Sequence, residues 1–301
     1  MSHMLTHETM LENIHFRDPF IWFESDEAIY YLYGSIGHHV WSGPAIGFDV
    51  YRSKDLKLWE GPIAAFRPGP DFWSDRQFWA PEVFKYGGRY YMFASFKAES
   101  VCRTTGVLVA EHPAGPFAPL SFSLNPKDWQ CLDGTLYLDG EGRPWMVFCR
   151  EWVQVRDGEM YAVRLNEELT GPVGDPVFLF RASEAEWSAG FGDHGDQYIT
   201  DGPYLHRMKS GELLMLWTTS GMSGYTMGTA RSLSGEISGP WVQDPEPLFD
   251  RDGGHGMLFR GPDGELLLTI HAPNEHPQER PVIIPVAEED GRLVLKACGP
   301  N

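Results

Sequence analysis

The amino-acid sequence predicts an all-β protein that folds as a five-bladed β-propeller. Aromatic residues make up 14% of the 301 residues, and the chain contains 33 Gly and 23 Pro, a composition typical of short strands joined by tight turns. No long segment repeats its apolar residues with the period of an amphipathic helix. Instead, one strand–turn–strand unit recurs five times, about every 50 residues, as in repeats that stack around an axis.

Each predicted unit has the same order of an outgoing strand, a tight turn, a returning strand and a third strand. The outgoing strands are predicted at residues 19–23, 83–86, 135–138, 204–206 and 257–260, the returning strands at 28–34, 89–95, 144–149, 212–218 and 265–271, and the third strands at 46–53, 105–111, 159–165, 225–231 and 280–286. Fourth strands are predicted only at 177–180 and 292–296. The predicted blades cover residues 18–62, 79–120, 131–180, 199–249 and 254–297, within one domain that spans residues 1–301.

A sandwich of two sheets is the alternative all-β fold. It does not explain why Gly-Pro recurs near the end of successive units, at Gly61-Pro62, Gly115-Pro116, Gly171-Pro172 and Gly239-Pro240. No unit can bury its faces alone, whereas stacking around an axis buries them and shortens the exposed sheet edges. We therefore favour the propeller.

The composition also excludes several classes of partner. The net charge of −18 argues against nucleic acid and anionic membranes, which need a basic face, and no apolar run is long enough to span a bilayer. Residues 1–13 lack the apolar stretch of a signal peptide, so we expect a cytoplasmic protein unless a leader has been removed. The spacing of Cys102, Cys131, Cys149 and Cys298 matches no zinc site, and we expect Cys131 and Cys149 to be small buried thiols.

Polar residues at the openings of the five units are predicted to meet at one face. In a propeller blade the first strand lies nearest the axis, and it is antiparallel to the second. The start of the first strand and the end of the second therefore share one end of the molecule. The residues that this geometry predicts to surround the axis are Asp18, Glu82, Asp133, Asp201 and His255, with Glu151 and Trp152 reaching the same face from the end of a returning strand.

This ring of carboxylates suits the hydrolysis of glycosidic bonds. One carboxylic acid protonates the leaving oxygen, and one carboxylate activates water or attacks directly. Crowding of like charges raises the pKa of one member, which is what a general acid needs. A cation site is the alternative, because clustered oxygens and a His can bind a hard metal ion.

Four motifs taken together resemble glycoside hydrolase family 43: Arg17-Asp18-Pro19, Trp79-Ala80-Pro81-Glu82, Leu132-Asp133-Gly134 and Asp201-Gly202-Pro203. They follow one another in the order of that family across the whole chain. The resemblance implies a five-bladed propeller, an inverting mechanism, and α-L-arabinofuranosidase or β-xylosidase activity, exo-acting on plant-type oligosaccharides or polysaccharides. It implies that Asp18 is the general base and that Asp133 orients the acid and tunes its pKa. His255 is similar to an axial histidine that holds a central cation, often calcium, in some members.

One position departs from the family pattern. The general acid of the family is the Glu of a Glu-Gly-Pro triplet, whereas this chain has Asp201, whose side chain is one methylene shorter. Either Asp201 acts as the acid on a substrate that sits deeper, or Glu151 supplies the proton. If the acid is lost, the protein is a propeller that binds carbohydrate without cleaving it. A retaining enzyme similar to the propellers that act on fructosides is a further alternative.

Substrate contacts are predicted from residue type and position. Trp79, Trp152 and Trp187 are candidate sugar platforms, with core packing as the alternative for each, and Phe191 lies in a loop that is expected to wall the site. Glu82 is expected to bind sugar hydroxyls or to form a structural ion pair, and Arg280 to contact the substrate or the catalytic Asp. His38, His39 and His194 are interpreted as solvated loop residues.

Overall fold

The predicted fold class is confirmed by a computed structural model, which describes residues 7–36 and 40–296. The described residues form five antiparallel sheets around an axis, and each innermost strand contacts the innermost strands of the neighbouring blades. His38, His39 and Cys298 lie outside the described residues. Among the described helices, none is both long and apolar enough to cross a membrane.

The first blade has five strands and the others have four. Blade one contains β1 (His7–Met10), β2 (Phe16–Glu24), β3 (Ile29–Ile36), β4 (Phe48–Ser53) and β5 (Leu58–Phe66), in the spatial order β1-β5-β4-β3-β2. Blade two contains β6 (Arg76–Tyr86), β7 (Arg89–Ala98), β8 (Val101–Ala110) and β9 (Ala118–Ser121), and blade three contains β10 (Cys131–Leu138), β11 (Pro144–Arg150), β12 (Glu159–Arg164) and β13 (Val177–Arg181). Blade four contains β14 (Asp201–Arg207), β15 (Leu213–Gly221), β16 (Gly224–Ser232) and β17 (Trp241–Gln243), and blade five contains β18 (Gly254–Arg260), β19 (Leu266–Ala272), β20 (Arg280–Glu289) and β21 (Arg292–Leu295). The short helix α1 (Trp152–Val155) follows β11, and 3-10 turns occupy Leu11–Asn13 and Ala182–Glu184.

Several outer strands escaped the sequence prediction. Strands β1, β9 and β17 have only three or four residues each and are mostly exposed or half-buried, so they lack the alternation of apolar and polar residues that identifies a strand. Strand β5 (Leu58–Phe66) lies where the sequence predicts only the end of the first blade, at residue 62. The inner strands were located because they carry long apolar runs such as Ile29–Ile36.

Each innermost strand begins with a bulge that fixes which residues are equivalent. At the equivalent position of each innermost strand one residue has a positive φ: Asp18 (52°), Ala80 (45°), Asp133 (55°), Gly202 (53°) and His255 (48°). Gln77 (51°), earlier in β6, has a positive φ as well. In each blade the pairing register with the second strand shifts next to the residue at the equivalent position. The ring of equivalent positions therefore differs from the predicted one. Asp201 stands one residue before the bulge position, and Glu82 stands two residues after it.

The backbone N–H of every bulge residue is bound by a side chain. Ser35 Oγ accepts from Ala80 (2.8 Å), Ser95 Oγ from Asp133 (2.9 Å), Thr218 Oγ1 from His255 (2.9 Å), His271 Nδ1 from Asp18 (3.1 Å) and Asp133 Oδ2 from Gly202 (3.1 Å). In four cases the acceptor lies at the end of the second strand of the preceding blade. The corresponding residue of blade three is Cys149, and there the Asp133 carboxylate takes its place. These bonds connect neighbouring blades around the axis.

Ring closure depends on contacts between blades one and five rather than on a shared strand. Strand β1 pairs with β5 at the outer edge of blade one, so within the described residues 7–36 and 40–296 no N-terminal strand joins blade five. Arg17 crosses the junction, donating from Nη1 to Glu279 Oε1 (2.8 Å) and from Nη2 to Asn274 Oδ1 (2.7 Å). Burial opposes ionisation of Glu279, but the hydrogen bond from Arg17, together with the other hydrogen bonds that the carboxylate accepts, outweighs burial and lowers its pKa to about 2. The junction is thus a buried ion pair.

The spaces between blades are filled by large aromatic and aliphatic side chains. The core cluster that contains residues of blades one, two and five includes the fully buried Tyr31, Phe48 and Trp59. A second cluster, with residues of blades three and four, includes the fully buried Trp217. Cys131 and Cys149 are buried and unpaired, and burial raises the pKa of both thiols. The core is therefore a set of inter-blade layers, as a stacked repeat requires.

Substitution of Gly256 by Ala is expected to destabilise the ring, because the added Cβ would lie 1.7 Å from the backbone oxygen of Thr269. The backbone must move to accommodate it, at a cost of about 1–3 kcal/mol. Gly140→Ala is the matched control, since nothing lies within 4 Å of its added Cβ. Thermal unfolding should show a lower Tm for Gly256→Ala only. Equal Tm values for the two variants would contradict the close approach at Gly256.

Candidate active site

A cavity of about 360 Å³ opens where the inner strands begin. It brings together seven of the residues predicted from the sequence: Asp18, Trp79, Asp133, Glu151, Trp152, Asp201 and His255. Its lining also includes Arg17, Trp41 and Arg103. The bulges explain this placement, because a positive φ re-aims the side chain at the start of a strand. Such strained positions cost about 1–3 kcal/mol each, and their clustering points to function.

Asp18 lies in a setting that favours its ionised form. Ser35 donates its hydroxyl to Asp18 Oδ2 (2.5 Å), and His255 Nδ1 lies 3.2 Å from Oδ1. Burial alone would raise the pKa of Asp18, but His255 and Arg17, with smaller contributions from His271 and the Ser35 hydroxyl, outweigh burial and hold the pKa below its usual value. Asp18 is therefore ionised at neutral pH, as a general base must be.

Asp201 lies in the opposite electrostatic setting. Burial raises its pKa to about 7, although the Tyr225 hydroxyl, which donates to Asp201 Oδ2 (2.7 Å), acts in the other direction. Burial also raises the pKa of Tyr225, so its hydroxyl remains a donor. A carboxyl that titrates near neutrality can hold a proton and release it, which suits a general acid.

Asp133 is buried near the charges of the other two aspartates. Burial and the charges of Asp201 and Asp18 raise the pKa of Asp133 well above its usual value, while the Gly202 N–H, which binds Asp133 Oδ2, opposes this. Because like charges in one buried site cannot both ionise readily, Asp133 and Asp201 titrate as a pair. The pair therefore retains a proton at neutral pH.

Glu151 follows β11 and forms an ion pair with Arg103, in which both side chains are buried. The Arg103 guanidinium stacks on Trp79, 4.0 Å from the ring centroid, and donates to Gln77 Oε1 (2.6 Å). Among the described residues, Glu151 Oε2 has no hydrogen-bond partner. The Glu151 carboxylate and the Arg103 guanidinium thus place one negative and one positive group in the wall of the cavity.

Four predicted substrate contacts do not line this cavity. Trp187 packs in the core between blades, where its indole N–H donates to the Asp244 carbonyl oxygen, and Phe191 packs edge-on against Trp152. Arg280 donates to the carbonyl oxygens of Glu12, Pro277 and Glu279.

Glu82, expected to bind sugar hydroxyls or to form an ion pair, is the fourth, and among the described residues it has no ion-pair partner. It is buried, which raises its pKa to about 8, because it lies on the inner strand beyond the bulge. His194, by contrast, is exposed, as expected for a solvated loop residue.

Several site residues were not identified as functional from the sequence. Tyr225 and His271 are separated from Asp18 by more than 200 residues in the chain, and only the stacking of the blades brings them to it. Arg103 carried no motif. Trp41 forms a T-shaped pair with Trp79 and stacks on Arg17. It lies in the Gly- and His-rich loop at residues 35–44, and that loop is the signal that the sequence offers for it.

A cation beside His255 stays a prediction. Nδ1 of His255 faces Asp18 Oδ1 (3.2 Å) and Asp133 Oδ2 (3.7 Å), and those carboxylates already bind Ser35 and Gly202. Calcium prefers about six to eight oxygen ligands, which the residues around this nitrogen do not supply.

The group of metal-ligand side chains that does occur in the described residues lies at His15, His276 and Glu279, and there Arg17 already binds the carboxylate.

Comparison with known proteins identifies similar chains. The sequence profile of the family described as "Glycosyl hydrolases family 43" matches residues 12–290. The structure is similar to that of an endo-arabinase from Bacteroides thetaiotaomicron VPI-5482, with a TM-score of 0.87 and 42% identity over 94% of this chain and 98% of that chain. It also shares its fold with an endo-1,4-beta-xylanase from the same organism, with a TM-score of 0.75 and 23% identity over 95% of each chain.

A curated relative matches a shorter stretch. A protein named xylosidase/arabinosidase from Bacteroides ovatus is 30% identical over 102 residues, which make up 34% of this chain and 29% of that protein. The match therefore spans less than one third of the relative's length.

Tyr225→Phe is expected to raise the pKa of Asp201 above its value of about 7, because the lost hydroxyl hydrogen bond stabilises the ionised carboxylate. Carbonyl ¹³C chemical shifts of aspartate-labelled protein, followed against pH, measure this change. Tyr204→Phe is the control, since the Tyr204 hydroxyl donates to the Leu258 carbonyl oxygen instead. An unchanged or lowered pKa in Tyr225→Phe would contradict the proposed hydrogen bond.

Proposed function

Because the chain belongs to the glycosyl hydrolases of family 43, we propose that it hydrolyses α-L-arabinofuranosyl or β-xylosyl linkages with inversion at the anomeric carbon. One observation carries the proposal: Asp18, held ionised, and Asp201, with a pKa raised to about 7, line the same cavity. Two carboxyl groups with separated pKa values are what a base and an acid require.

In the proposed mechanism Asp18 removes a proton from water as the water attacks the anomeric carbon. Asp201 donates its proton to the glycosidic oxygen as the bond to the leaving group breaks. After one turnover Asp18 is protonated and Asp201 is ionised, and proton exchange with solvent restores both. An inverting enzyme needs the two carboxyl groups about 6.5–9.5 Å apart, so that the water fits between base and sugar.

Asp201 is favoured over Glu151 as the acid. Tyr225 holds Asp201, and a hydrogen bond from a neutral phenol leaves the carboxyl free to gain and lose a proton. Glu151 is instead paired with Arg103, and a proton on Glu151 would remove the charge that Arg103 binds. We propose that Glu151 and Arg103 bind sugar hydroxyls. The shorter Asp201 side chain then requires the glycosidic oxygen to lie closer to the start of β14 than a Glu would.

The class of substrate is proposed from the relatives and from the size of the cavity. Both kinds of relative, an endo-arabinase and a xylosidase/arabinosidase, are named for pentose-containing substrates. A cavity of about 360 Å³ is at the lower end of the usual range of about 300–1,000 Å³, which favours a terminal sugar over a long chain segment. Trp41, 48% exposed beside Arg17, offers an apolar face to the leaving group.

Asp18→Asn is expected to lower kcat by roughly 10²–10⁴-fold, because a general base contributes about that much. The assay uses 4-nitrophenyl α-L-arabinofuranoside, 4-nitrophenyl β-D-xyloside, arabinan and xylan, with ¹H NMR of the first-formed anomer. Equal turnover by the variant and the wild type would overturn the role of Asp18. Saturable binding of these glycans without hydrolysis by the wild type would instead favour the carbohydrate-binding alternative, and a retained anomer would favour the fructosidase-like one.

The two candidate acids are expected to differ in their dependence on the leaving group. Asp201→Asn should remove most activity on arabinan or xylan but spare 4-nitrophenyl glycosides, since an activated leaving group needs little protonation. It should also abolish the fall of kcat/KM that we expect for the wild type as pH rises through about 7. Glu151→Gln should raise KM for both kinds of substrate and keep that alkaline limb. If the two variants exchange these behaviours, Glu151 is the acid.

A further inference from the structure

The inner end of strand β19 carries an imidazole where the other blades carry a smaller group. His271 pairs with Gly254, and the residues in the same register of the other blades are Ser35, Ser95, Cys149 and Thr218. Where that residue is a Ser or a Thr, its hydroxyl suffices to bind the N–H of the next bulge. The imidazole of His271, which is fully buried, is therefore larger than the hydrogen bond to the Asp18 N–H requires.

The hydrogen bonds of His271 determine its tautomer. Nδ1 accepts the backbone N–H of Asp18 (3.1 Å), so Nδ1 carries no proton. The proton of the neutral ring is on Nε2, which lies 3.0 Å from Asn274 Oδ1 and donates to it. The same Asn274 oxygen accepts from Arg17 Nη2 (2.7 Å). Asp18 Oδ1 lies 3.5 Å from His271 Nδ1, but an unprotonated Nδ1 makes no ion pair there.

The face of the same ring contacts the other half of the site. His271 stacks on Tyr225, with ring centroids 5.4 Å apart and an interplanar angle of 25°. The Tyr225 hydroxyl donates to Asp201 Oδ2 (2.7 Å). One imidazole therefore touches the backbone of Asp18 with its edge and the ring that binds Asp201 with its face.

We propose that His271 is a positioning residue that holds the general base and the general acid in a fixed relation. Its Nδ1 fixes the backbone of Asp18, its Nε2–H connects to Asn274 and Arg17, and its face holds Tyr225 against Asp201. This inference rests on the proposed roles of Asp18 and Asp201. Burial lowers the pKa of His271 to about 4, which keeps the ring in the neutral form that these bonds require.

The test replaces the ring with the group that other blades use. His271→Ser keeps a hydroxyl acceptor in the register of Ser35 and Ser95 but removes the stack on Tyr225 and the bond to Asn274. We expect kcat to fall by about 10–100-fold, since a misplacement of about 1 Å can cost 10²-fold, with KM little changed. The alkaline limb of kcat/KM should move to higher pH, because a displaced Tyr225 no longer stabilises ionised Asp201.

The pH readout depends on the groups that face Asp201 and His271. These are Tyr225, Asp18, Glu151, Arg17 and Asp133 around Asp201, and Asp18, Arg17, His255, Tyr225 and Asn274 around His271. His271→Ser should not move the alkaline limb further in a Tyr225→Phe background, because both changes remove the same hydrogen bond. Additive shifts in the double variant would overturn the coupling through Tyr225.

Controls separate positioning from loss of folding. His206→Ser changes a partly buried His that binds Glu288 away from the cavity, and it should leave the pH profile unchanged. An unchanged kcat and pH profile in folded His271→Ser would overturn the proposal.

A second measurement uses the wild-type protein and needs no activity. The ¹⁵N shifts of His271 should show a protonated Nε2, an unprotonated Nδ1 and no titration between pH 5 and 8, whereas a protonated Nδ1 would overturn the proposal. This readout stands even if none of the glycans is hydrolysed, an outcome that would overturn only the proposed function.

Discussion

The bound N–H at the start of each innermost strand is the interaction on which the rest of the structure depends. A non-glycine residue with positive φ is strained by about 1–3 kcal/mol, and its N–H would be left without a strand partner. The neighbouring blade supplies an acceptor in every case, so the strained conformation exists only when the ring has assembled. Folding of the ring and formation of the site are therefore the same event, and the residues at these positions, among them Asp18 and Asp133, are aimed by the contact between blades.

The chemistry of the site follows from how differently the protein surrounds similar carboxyl groups. Asp18 has a hydroxyl donor, an arginine and an imidazole beside it, and these outweigh burial. Burial also acts on Asp201 and Asp133, the charges of neighbouring carboxylates add to it, and their strongest donors are a phenol and a backbone N–H. Burial is thus common to all three, and at Asp18 the imidazole of His255, followed by the positive charge of Arg17, makes the difference. Since Arg17 comes immediately before Asp18, one short sequence motif carries both the base and the charge that ionises it.

The sequence was sufficient to predict the five repeats, the face where they meet and the two aspartates at bulge positions, because strand patterning and motif order are local signals. It misaligned Asp201 and Glu82 by one and two residues, since a bulge has no composition of its own: Asp, Ala, Gly and His all occupy it. For Trp187 the sequence left a sugar platform and core packing open, and the structure places it in the core between blades. Arg280 was expected to contact the substrate or the catalytic Asp, but its bonds to loop carbonyl oxygens hold it elsewhere. The contributions of Tyr225, His271 and Arg103 could not be predicted, because each depends on which blade lies beside it.

The junction between blades one and five joins the stability of the ring to the geometry of the site. Arg17 binds Glu279 and Asn274 on one side and lies beside Asp18 on the other. Removing one partner of a buried ion pair costs about 3–5 kcal/mol. Substitutions in the loop that carries Asn274 and Glu279 are therefore expected to destabilise the closed ring. The same change would withdraw the positive charge that keeps Asp18 ionised. A propeller closed by a shared strand could separate these two requirements, whereas this chain, closed by side chains next to the base, must satisfy them together.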